Sequence, residues 1–250
     1  MKPQVYAFAN QKGGVGKTTT AINLAACLAE AGERALMVDL DPQANATSGL
    51  GVRANGSSSY DLLDGAPLVD LAKPTQFANL YLVPSKPELA GAAVELSQRD
   101  GGDRYLAHAL EHADGFDFVL LDCPPSLGPL TVNALAAADR VIVPVQTEYY
   151  ALEGLAQLVQ SINLIKTRLN PRLEIAGVLL TMADARTRLS AEVEAEVRRH
   201  FGGLVFEAVV PRSVRVAEAP SHGLPVTHYD RRSRGAEAYW KVAMELVERR

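Results

Sequence analysis

The sequence predicts an α/β fold, a single doubly wound and mostly parallel sheet flanked by helices. Short apolar runs alternate with helical patterns along the 250 residues, which is typical of parallel strands joined by helices. Several runs are almost entirely apolar, as strands covered on both faces must be. A glycine-rich turn separates the first run from the first helical pattern, and no repeat is present. We therefore predict one domain over residues 1–250.

The elements follow from these runs in chain order. Seven runs predict strands at residues 5–9, 34–40, 80–84, 116–122, 140–146, 174–182 and 205–211. Helical patterns predict helices at residues 18–31, 88–98, 104–113, 129–138, 149–169, 188–201 and 235–249. The segment 49–60, rich in glycine and serine, is predicted to be a mobile loop. Because ligands of such sheets bind at the carboxyl ends of the strands, residues just after strands are the functional candidates.

Composition excludes several classes of protein. No stretch approaches about 18 uninterrupted apolar residues, so no transmembrane helix is predicted. The N-terminus runs directly into the glycine-rich turn and leaves no room for a signal peptide, so we expect a cytoplasmic protein. Cys27 and Cys123 are too few and too isolated for a disulfide framework or a CxxC metal site. They are better explained as small buried apolar residues than as ligands of an iron–sulfur cluster.

The first candidate site is QKGGVGKT at residues 11–18. Its glycines allow a tight turn whose amides can face phosphate oxygens, and the following helix adds its positive end. Lys17 would neutralise the β and γ phosphates, and the Thr18 hydroxyl would bind Mg²⁺. Gln11 stands where the usual motif has glycine, and Lys12 is an additional lysine. The motif alone leaves open whether Lys12 is functional or simply a solvated surface residue.

The stretch KGGVGKTT resembles the deviant Walker A motif of P-loop NTPases of the ParA/MinD superfamily, and the whole chain is similar to its ParA (Soj) branch. The resemblance implies that Lys12 crosses a dimer interface to the nucleotide of the partner subunit. Two ATP molecules would then join a homodimer, and Lys12 would act with Lys17 in catalysis, as a cation supplied in trans. Nucleotide binding is implied for Lys12, Gly13, Gly14, Val15, Gly16, Lys17, Thr18 and Thr19.

Two aspartates end the second predicted strand. Asp39 and Asp41 alternate with Leu40, which predicts that both project to one side of the strand. One carboxylate could hold a Mg²⁺-bound water while the other orients the attacking water. The resemblance to Walker A′ implies that Asp41 is the catalytic residue and that Asp39 is a metal contact. A plainer alternative is that Asp41 and Pro42 only initiate a turn.

A third motif, FDFVLLDCPPS at residues 116–126, is an apolar strand that ends in Asp122. In the Walker B role, this carboxylate would bind Mg²⁺ through water. Many P-loop ATPases place a glutamate directly after this aspartate, but Cys123 stands here. We therefore predict weak intrinsic hydrolysis, below about one turnover per second, that requires a partner for activation.

Three further positions carry weaker predictions. The resemblance implies that Met182 and Pro211 contact adenine, although ordinary loop packing explains them nearly as well. Glu148 could contact a ribose, or Lys12 across the dimer, and its role stays open.

Basic residues are concentrated in the C-terminal part. Residues 1–150 contain 10 basic and 17 acidic side chains, whereas residues 151–250 contain 15 and 12. A solvated surface explains this as well, but the resemblance implies non-specific binding of double-stranded DNA by the ATP-bound dimer. The candidates are Arg186, Arg188 and Arg215, of which Arg186 and Arg215 are predicted to lie in loops. Because no aromatic residues are interleaved, we expect contacts with the DNA backbone.

The resemblance thus implies an ATPase that segregates chromosomes or plasmids, binds the nucleoid, and is released from DNA when a ParB-type protein stimulates hydrolysis. The first alternative is a MinD-like membrane-associated ATPase. That class ends in a basic amphipathic helix, whereas the tail at residues 235–250 mixes acidic and basic residues and predicts a packed helix. An iron–sulfur carrier ATPase is the second alternative.

Overall fold

The computed structural model describes residues 2–148 and 151–249, which form a seven-stranded sheet with helices on both faces. The strands are β1 (Gln4–Phe8), β2 (Ala35–Asp39), β3 (Lys73–Pro74), β4 (Leu80–Val83), β5 (Phe118–Asp122), β6 (Arg140–Gln146) and β7 (Glu174–Thr181). Their order in the sheet is β3-β4-β2-β5-β1-β6-β7. All described neighbours pair in parallel except β3 and β4, which pair antiparallel. The predicted doubly wound, mostly parallel sheet is confirmed.

The helices connect the strands. They are α1 (Lys17–Glu30), α2 (Asn45–Gly49), α3 (Ser59–Leu63), α4 (Leu68–Leu71), α5 (Leu89–Gln98), α6 (Tyr105–Ala109), α7 (Pro129–Ala137), α8 (Ala151–Arg168), α9 (Arg188–Phe201), α10 (Val214–Glu218), α11 (Val226–Tyr229) and α12 (Arg234–Glu248). All seven predicted helices are present, although the first two residues of the one predicted at 149–169 lie outside the described residues. Sequence patterns missed α2, α3, α4, α10 and α11, because a helix of four or five residues shows too little periodicity.

Alternating residues of the parallel strands pack into two separate apolar layers, one on each face of the sheet. Along β1, Val5 and Ala7 pack on one face of the sheet, and Tyr6 and Phe8 pack on the other. Helices α5, α7 and α8 cover the first face, whereas α1 and α12 cover the second. This double cover explains why the central strands are apolar at almost every position.

The predicted strand at 205–211 is wrong. The structure shows two isolated bridges instead, Val178 with Val205 and Ala183 with Pro211. Between them, the amides of Glu207 and Ala208 donate hydrogen bonds of 2.9 and 3.2 Å to the carboxylate of Glu245 in α12. Because a helix side chain takes these two amides, they make no ladder with β7. The predicted loop at 49–60 has no helix or strand between residues 50 and 58, but its ends belong to α2 and α3.

The final helix is packed, as predicted. Six apolar side chains of α12 are buried against α1 and the sheet: Ala236, Ala238, Tyr239, Val242, Ala243 and Leu246. Its N-terminus is capped by the Ser233 hydroxyl, which accepts a hydrogen bond of 3.2 Å from the Ala236 amide. Within the described part of the chain, every helix is too short or too polar to cross a bilayer.

Candidate functional site: a phosphate loop with three aspartates

The glycine-rich loop joins β1 to α1 at the carboxyl edge of the sheet. Gly14 and Gly16 have φ angles of 73° and 87°, a backbone region that side chains rarely adopt. Gly16 is the N-cap of α1 and has no side chain to cap the first amides. The Thr181 hydroxyl donates a 2.8 Å hydrogen bond to the Val15 carbonyl and ties the loop to the end of β7. The loop therefore presents free helix amides in a fixed turn, which suits a bound phosphate.

Lys17 is buried below this loop. Its side chain is near the Lys12 carbonyl, with an Nζ–O distance of 3.4 Å. Burial lowers the pKa of Lys17, and the negative charge of Asp122 opposes that shift. A buried ammonium group with acidic neighbours can neutralise a phosphate at short range, since water screens it little.

Asp122, at the end of β5, is fully buried. Among the described residues, neither of its carboxylate oxygens has a hydrogen-bond partner of normal geometry. Burial raises the pKa of Asp122 well above its usual value, Asp39 raises it further, and the Thr18 hydroxyl nearby opposes the rise. A buried, unpartnered carboxylate beside a hydroxyl is suited to Mg²⁺ or its bound water.

The two other aspartates have different surroundings. Asp39 is fully buried, and its carboxylate accepts hydrogen bonds from the Thr47 amide and hydroxyl at 2.8 and 2.6 Å. Burial raises the pKa of Asp39 to about 6 although these hydrogen bonds oppose it. Asp41 accepts a 3.0 Å hydrogen bond from the Gln43 amide. The Asp39 carboxylate thus already accepts hydrogen bonds within the chain, whereas the Asp122 carboxylate is the one available to a ligand.

The part of the chain that the structure describes holds no group of three or more His, Cys, Asp or Glu side chains arranged to bind a metal. Thr18 and Asp122 could supply one or two protein ligands to Mg²⁺, with the nucleotide phosphates supplying others. Mg²⁺ commonly binds to proteins in this way, through one or two protein ligands, phosphates and water.

A cleft of about 460 Å³ lies between the glycine-rich loop, Asp41 and the end of β7. It brings together these predicted residues: Gly13, Gly14, Gly16, Lys17, Thr18, Thr19, Asp41 and Met182. Val15 is buried behind the loop. Six other residues of the lining were not among the predicted site residues: Ile22, Gln43, Asn45, Ser48, Pro125 and Pro220.

The predicted adenine contact Pro211 does not line this cleft. It lies on a neighbouring cavity of about 600 Å³ between α9 and α12. Pro220, in the turn after α10, lines the cleft, whereas Pro211 pairs with Ala183, the residue after Met182. The C-terminal segment is far from the phosphate loop in sequence, so no local signal could distinguish the two prolines.

Lys12 does not line the cleft that contains Lys17. Its side chain is half exposed, and its Nζ lies 2.7 Å from Glu148 Oε2 of the same chain. Its amide donates a 3.0 Å hydrogen bond to Asn10 Oδ1, which fixes the start of the loop. The structure thus shows Glu148 pairing with Lys12 within one chain.

The three predicted DNA-binding arginines are exposed, and each is paired with a carboxylate. Arg186 pairs with Asp184 at 2.7 Å, Arg188 with Glu192 at 2.6 Å, and Arg215 with Glu218 at 3.2 Å. Arg186 lies in a loop as predicted. Arg215 lies in the short helix α10 instead, just after Ser213. This helix is too short for its periodicity to be recognised in the sequence.

Cys27 and Cys123 are free and buried, and burial raises the pKa of both thiols. This agrees with the interpretation that they are small apolar residues.

Comparison with known proteins adds to this geometry. A family profile described as "AAA domain" matches residues 3–175. The "Chromosome-partitioning ATPase Soj" of Thermus thermophilus is 56% identical over 243 residues, which cover 97% of this chain and 95% of that protein. The "Sporulation initiation inhibitor protein Soj" of Bacillus subtilis is 51% identical over 248 residues, 98% of each chain.

Solved structures show the same fold. A cobyrinic acid a,c-diamide synthase from Mycobacterium smegmatis with bound ADP and magnesium has a TM-score of 0.86 and 38% identity, covering 98% of this chain and 94% of that one. The same protein has also been solved with a bound ATP analog and magnesium.

Proposed function

This chain belongs to the family of Soj and ParA chromosome-partitioning ATPases, and on that basis we propose that it segregates DNA through an ATP-controlled cycle of dimerisation and DNA binding. The chain is an ATPase that uses ATP and Mg²⁺. The observation that carries the proposal is the position of Lys12. It projects beside the nucleotide cleft without lining it and remains half exposed, so a second subunit can approach it.

Within one subunit, we assign the phosphates to the glycine-rich loop, Lys17 and Thr19. Thr18 and Asp122 would hold Mg²⁺, which supplies positive charge to the phosphates when it is bound, and Asp39 would support it from behind. Asp41 would orient the attacking water, because its carboxylate faces the cleft at the end of β2. The adenine would lie towards Met182, with Pro211 close by through its bridge to Ala183 and Pro220 on the lining of the cleft.

Between subunits, Lys12 would contact the nucleotide of the partner. Its ion pair with Glu148 is exposed on both sides, and exposed pairs contribute little free energy. The phosphates of a second nucleotide carry more negative charge than one carboxylate and could replace Glu148. Dimerisation would then depend on the triphosphate, and we propose a cytoplasmic protein that associates with the nucleoid when ATP is bound.

DNA binding would use Arg186, Arg188 and Arg215 against the phosphate backbone. The guanidinium groups of all three arginines are exposed, so DNA phosphates can compete with their carboxylate partners. Cys123 follows Asp122 and offers no carboxylate base, which supports slow hydrolysis in the absence of an activator. A ParB-type protein would accelerate hydrolysis and release the dimer.

The test measures retention of the purified protein on double-stranded DNA with ATP, with ADP and without nucleotide. We expect salt-sensitive retention with ATP only, and its loss in Lys12→Ala and Lys17→Ala. Lys166→Ala removes a lysine of α8, away from the cleft, and serves as the matched control. Equal retention in all three nucleotide states would contradict the proposed cycle.

A further inference from the structure

Four buried residues beside the cleft form a closed ring of hydrogen bonds. The Thr47 hydroxyl donates to Asp39 Oδ2 at 2.6 Å and accepts from the Ser85 amide at 2.9 Å. The Ser85 hydroxyl donates to the Asp41 carbonyl at 2.7 Å, and the Asp41 amide donates to Asp39 Oδ1 at 3.1 Å. None of the four is more than 6% exposed.

This ring holds the main chain of Asp41 from both directions. Asp39 accepts from its amide, and Ser85 donates to its carbonyl. With both backbone groups held, the Asp41 side chain starts from a fixed position, and it lines the cleft. The ring therefore helps to fix where this carboxylate lies relative to Lys17 and the glycine-rich loop.

Two further hydrogen bonds within the loop after β2 also act on Asp41: its carbonyl accepts from the Ala44 amide at 2.9 Å, and its carboxylate accepts from the Gln43 amide at 3.0 Å. Neither of them connects the loop to another strand. Residues 40–44 contain no helix or strand, and Ala44 has a φ of 53°, a conformation that costs energy for a residue with a side chain. The short helix α2 follows with only five residues. Ser85 comes just after β4, the sheet neighbour of β2, so the ring connects the loop to a second strand.

We propose that Thr47 and Ser85 are positioning residues for ATP hydrolysis, which hold the Asp41 carboxylate in the nucleotide cleft through the ring. The inference rests on the proposed hydrolytic role of Asp41. Neither Thr47 nor Ser85 lines the cleft, so neither is placed to touch the nucleotide, and the ring connects both of them to Asp41.

The first measurement is single-turnover hydrolysis of Mg-ATP, together with the affinity for Mg-ATP. Ser85→Ala removes one donor, and Thr47→Val removes the hydroxyl at nearly constant volume. Because displacing a catalytic group by a fraction of an ångström slows a reaction strongly, we expect each variant to lose about tenfold in rate with affinity changed by less than about twofold. Thr47→Ser, which keeps the hydroxyl, should recover most of the rate.

Thr75→Val is the matched control for stability. It removes a hydroxyl that bonds the Leu80 carbonyl at 2.9 Å, at the opposite end of β4. Thermal melting of each variant shows that the rate is measured on folded protein. If Ser85→Ala and Thr47→Val both hydrolyse ATP at the rate of the Thr75→Val protein, the inference is overturned.

A double-mutant cycle separates this inference from the proposed role of Asp41. If Thr47 acts only through Asp41, then Thr47→Val should add no further loss in the Asp41→Ala background. A full additional tenfold loss would contradict the inference and leave the role of Asp41 intact. An unchanged rate in Asp41→Ala alone would contradict the hydrolytic role itself.

Amide hydrogen exchange gives a readout without nucleotide or activity. In the nucleotide-free protein, Ser85→Ala should speed exchange at residues 40–47, whereas Thr75→Val should leave that segment unchanged. Unchanged exchange in Ser85→Ala would mean that the ring does not restrain the loop, and the inference would fail.

Discussion

At the scale of single residues, the buried aspartates of this site differ in whether their carboxylate oxygens have hydrogen-bond partners. Asp39 has its two oxygens engaged by Thr47 and Asp41, whereas Asp122 is fully buried without a partner of normal geometry among the described residues. The sequence placed both after strands but could not show this difference, because Thr47 reaches Asp39 only through the fold. Burying a carboxylate without hydrogen bonds costs free energy, which a bound cation can offset.

The pairing of Lys12 with Glu148 leads to a prediction at this scale. Glu148→Gln removes the charge that holds Lys12 within its own chain. Because an exposed ion pair contributes about 0.2–1 kcal/mol and a dimer contains two of them, we expect ATP-dependent dimerisation to strengthen by roughly twofold to thirtyfold. Analytical ultracentrifugation with ATP and with ADP measures it.

Glu153→Gln, an exposed change in the first turn of α8, is the control for that experiment. Weaker dimerisation in Glu148→Gln would instead show that Glu148 binds Lys12 of the partner, the other role that the sequence left open.

At the scale of elements, the long helices and the central strands follow from periodicity and apolar runs, and their ends differ from prediction by only a few residues. The exception is the segment at 205–211. Its apolar pattern is that of a strand, but Glu245 takes the amides of Glu207 and Ala208. A sequence pattern records which side chains prefer burial, and it contains no information about a helix carboxylate 37 residues away.

We therefore predict that Glu245 stabilises the folded protein. Glu245→Ala leaves two amides without their acceptor and removes the 2.6 Å ion pair with Arg249. Because hydrogen bonds to a charged carboxylate stabilise the folded state more than bonds between neutral groups, we expect the free energy of unfolding to fall by about 1–3 kcal/mol, measured by urea denaturation.

The neighbouring Glu248→Ala, exposed on the same helix, should change the free energy of unfolding by less than about 0.5 kcal/mol. Equal losses in the two variants would show that Glu245 contributes only as a surface charge.

At the scale of the whole molecule, the distribution of charge along the chain matters more for DNA binding than the net charge. The net charge of −4 argues against a generally basic DNA-binding protein, whereas residues 151–250 carry a net positive charge. Every proposed DNA contact lies in that part. Since a dimer doubles the number of arginines facing one DNA molecule, affinity should rise and become more salt-dependent when the dimer forms.

Arg186→Ala tests whether Arg186 contacts DNA and whether both subunits of the dimer do so. In the ATP-bound state, it removes one cation from each subunit, so the slope of log affinity against log salt should decrease by about two. Arg172→Ala, an exposed arginine before β7, is the control. A decrease of about one would indicate that a single subunit contacts DNA, and an unchanged slope would exclude Arg186 from the interface.

The sequence by itself determined the sheet, its long helices, the family and the positions of the phosphate loop and three aspartates after their strands. These features depend on residues close together in the chain, where periodicity and motif spacing are visible. Only the tertiary structure decided that Lys12 pairs with Glu148, that Pro220 and not Pro211 lines the cleft, and that Thr47 and Ser85 hold Asp41. Each of these contacts joins separate elements. Their geometry is set by how the sheet and helices pack, which no local pattern records.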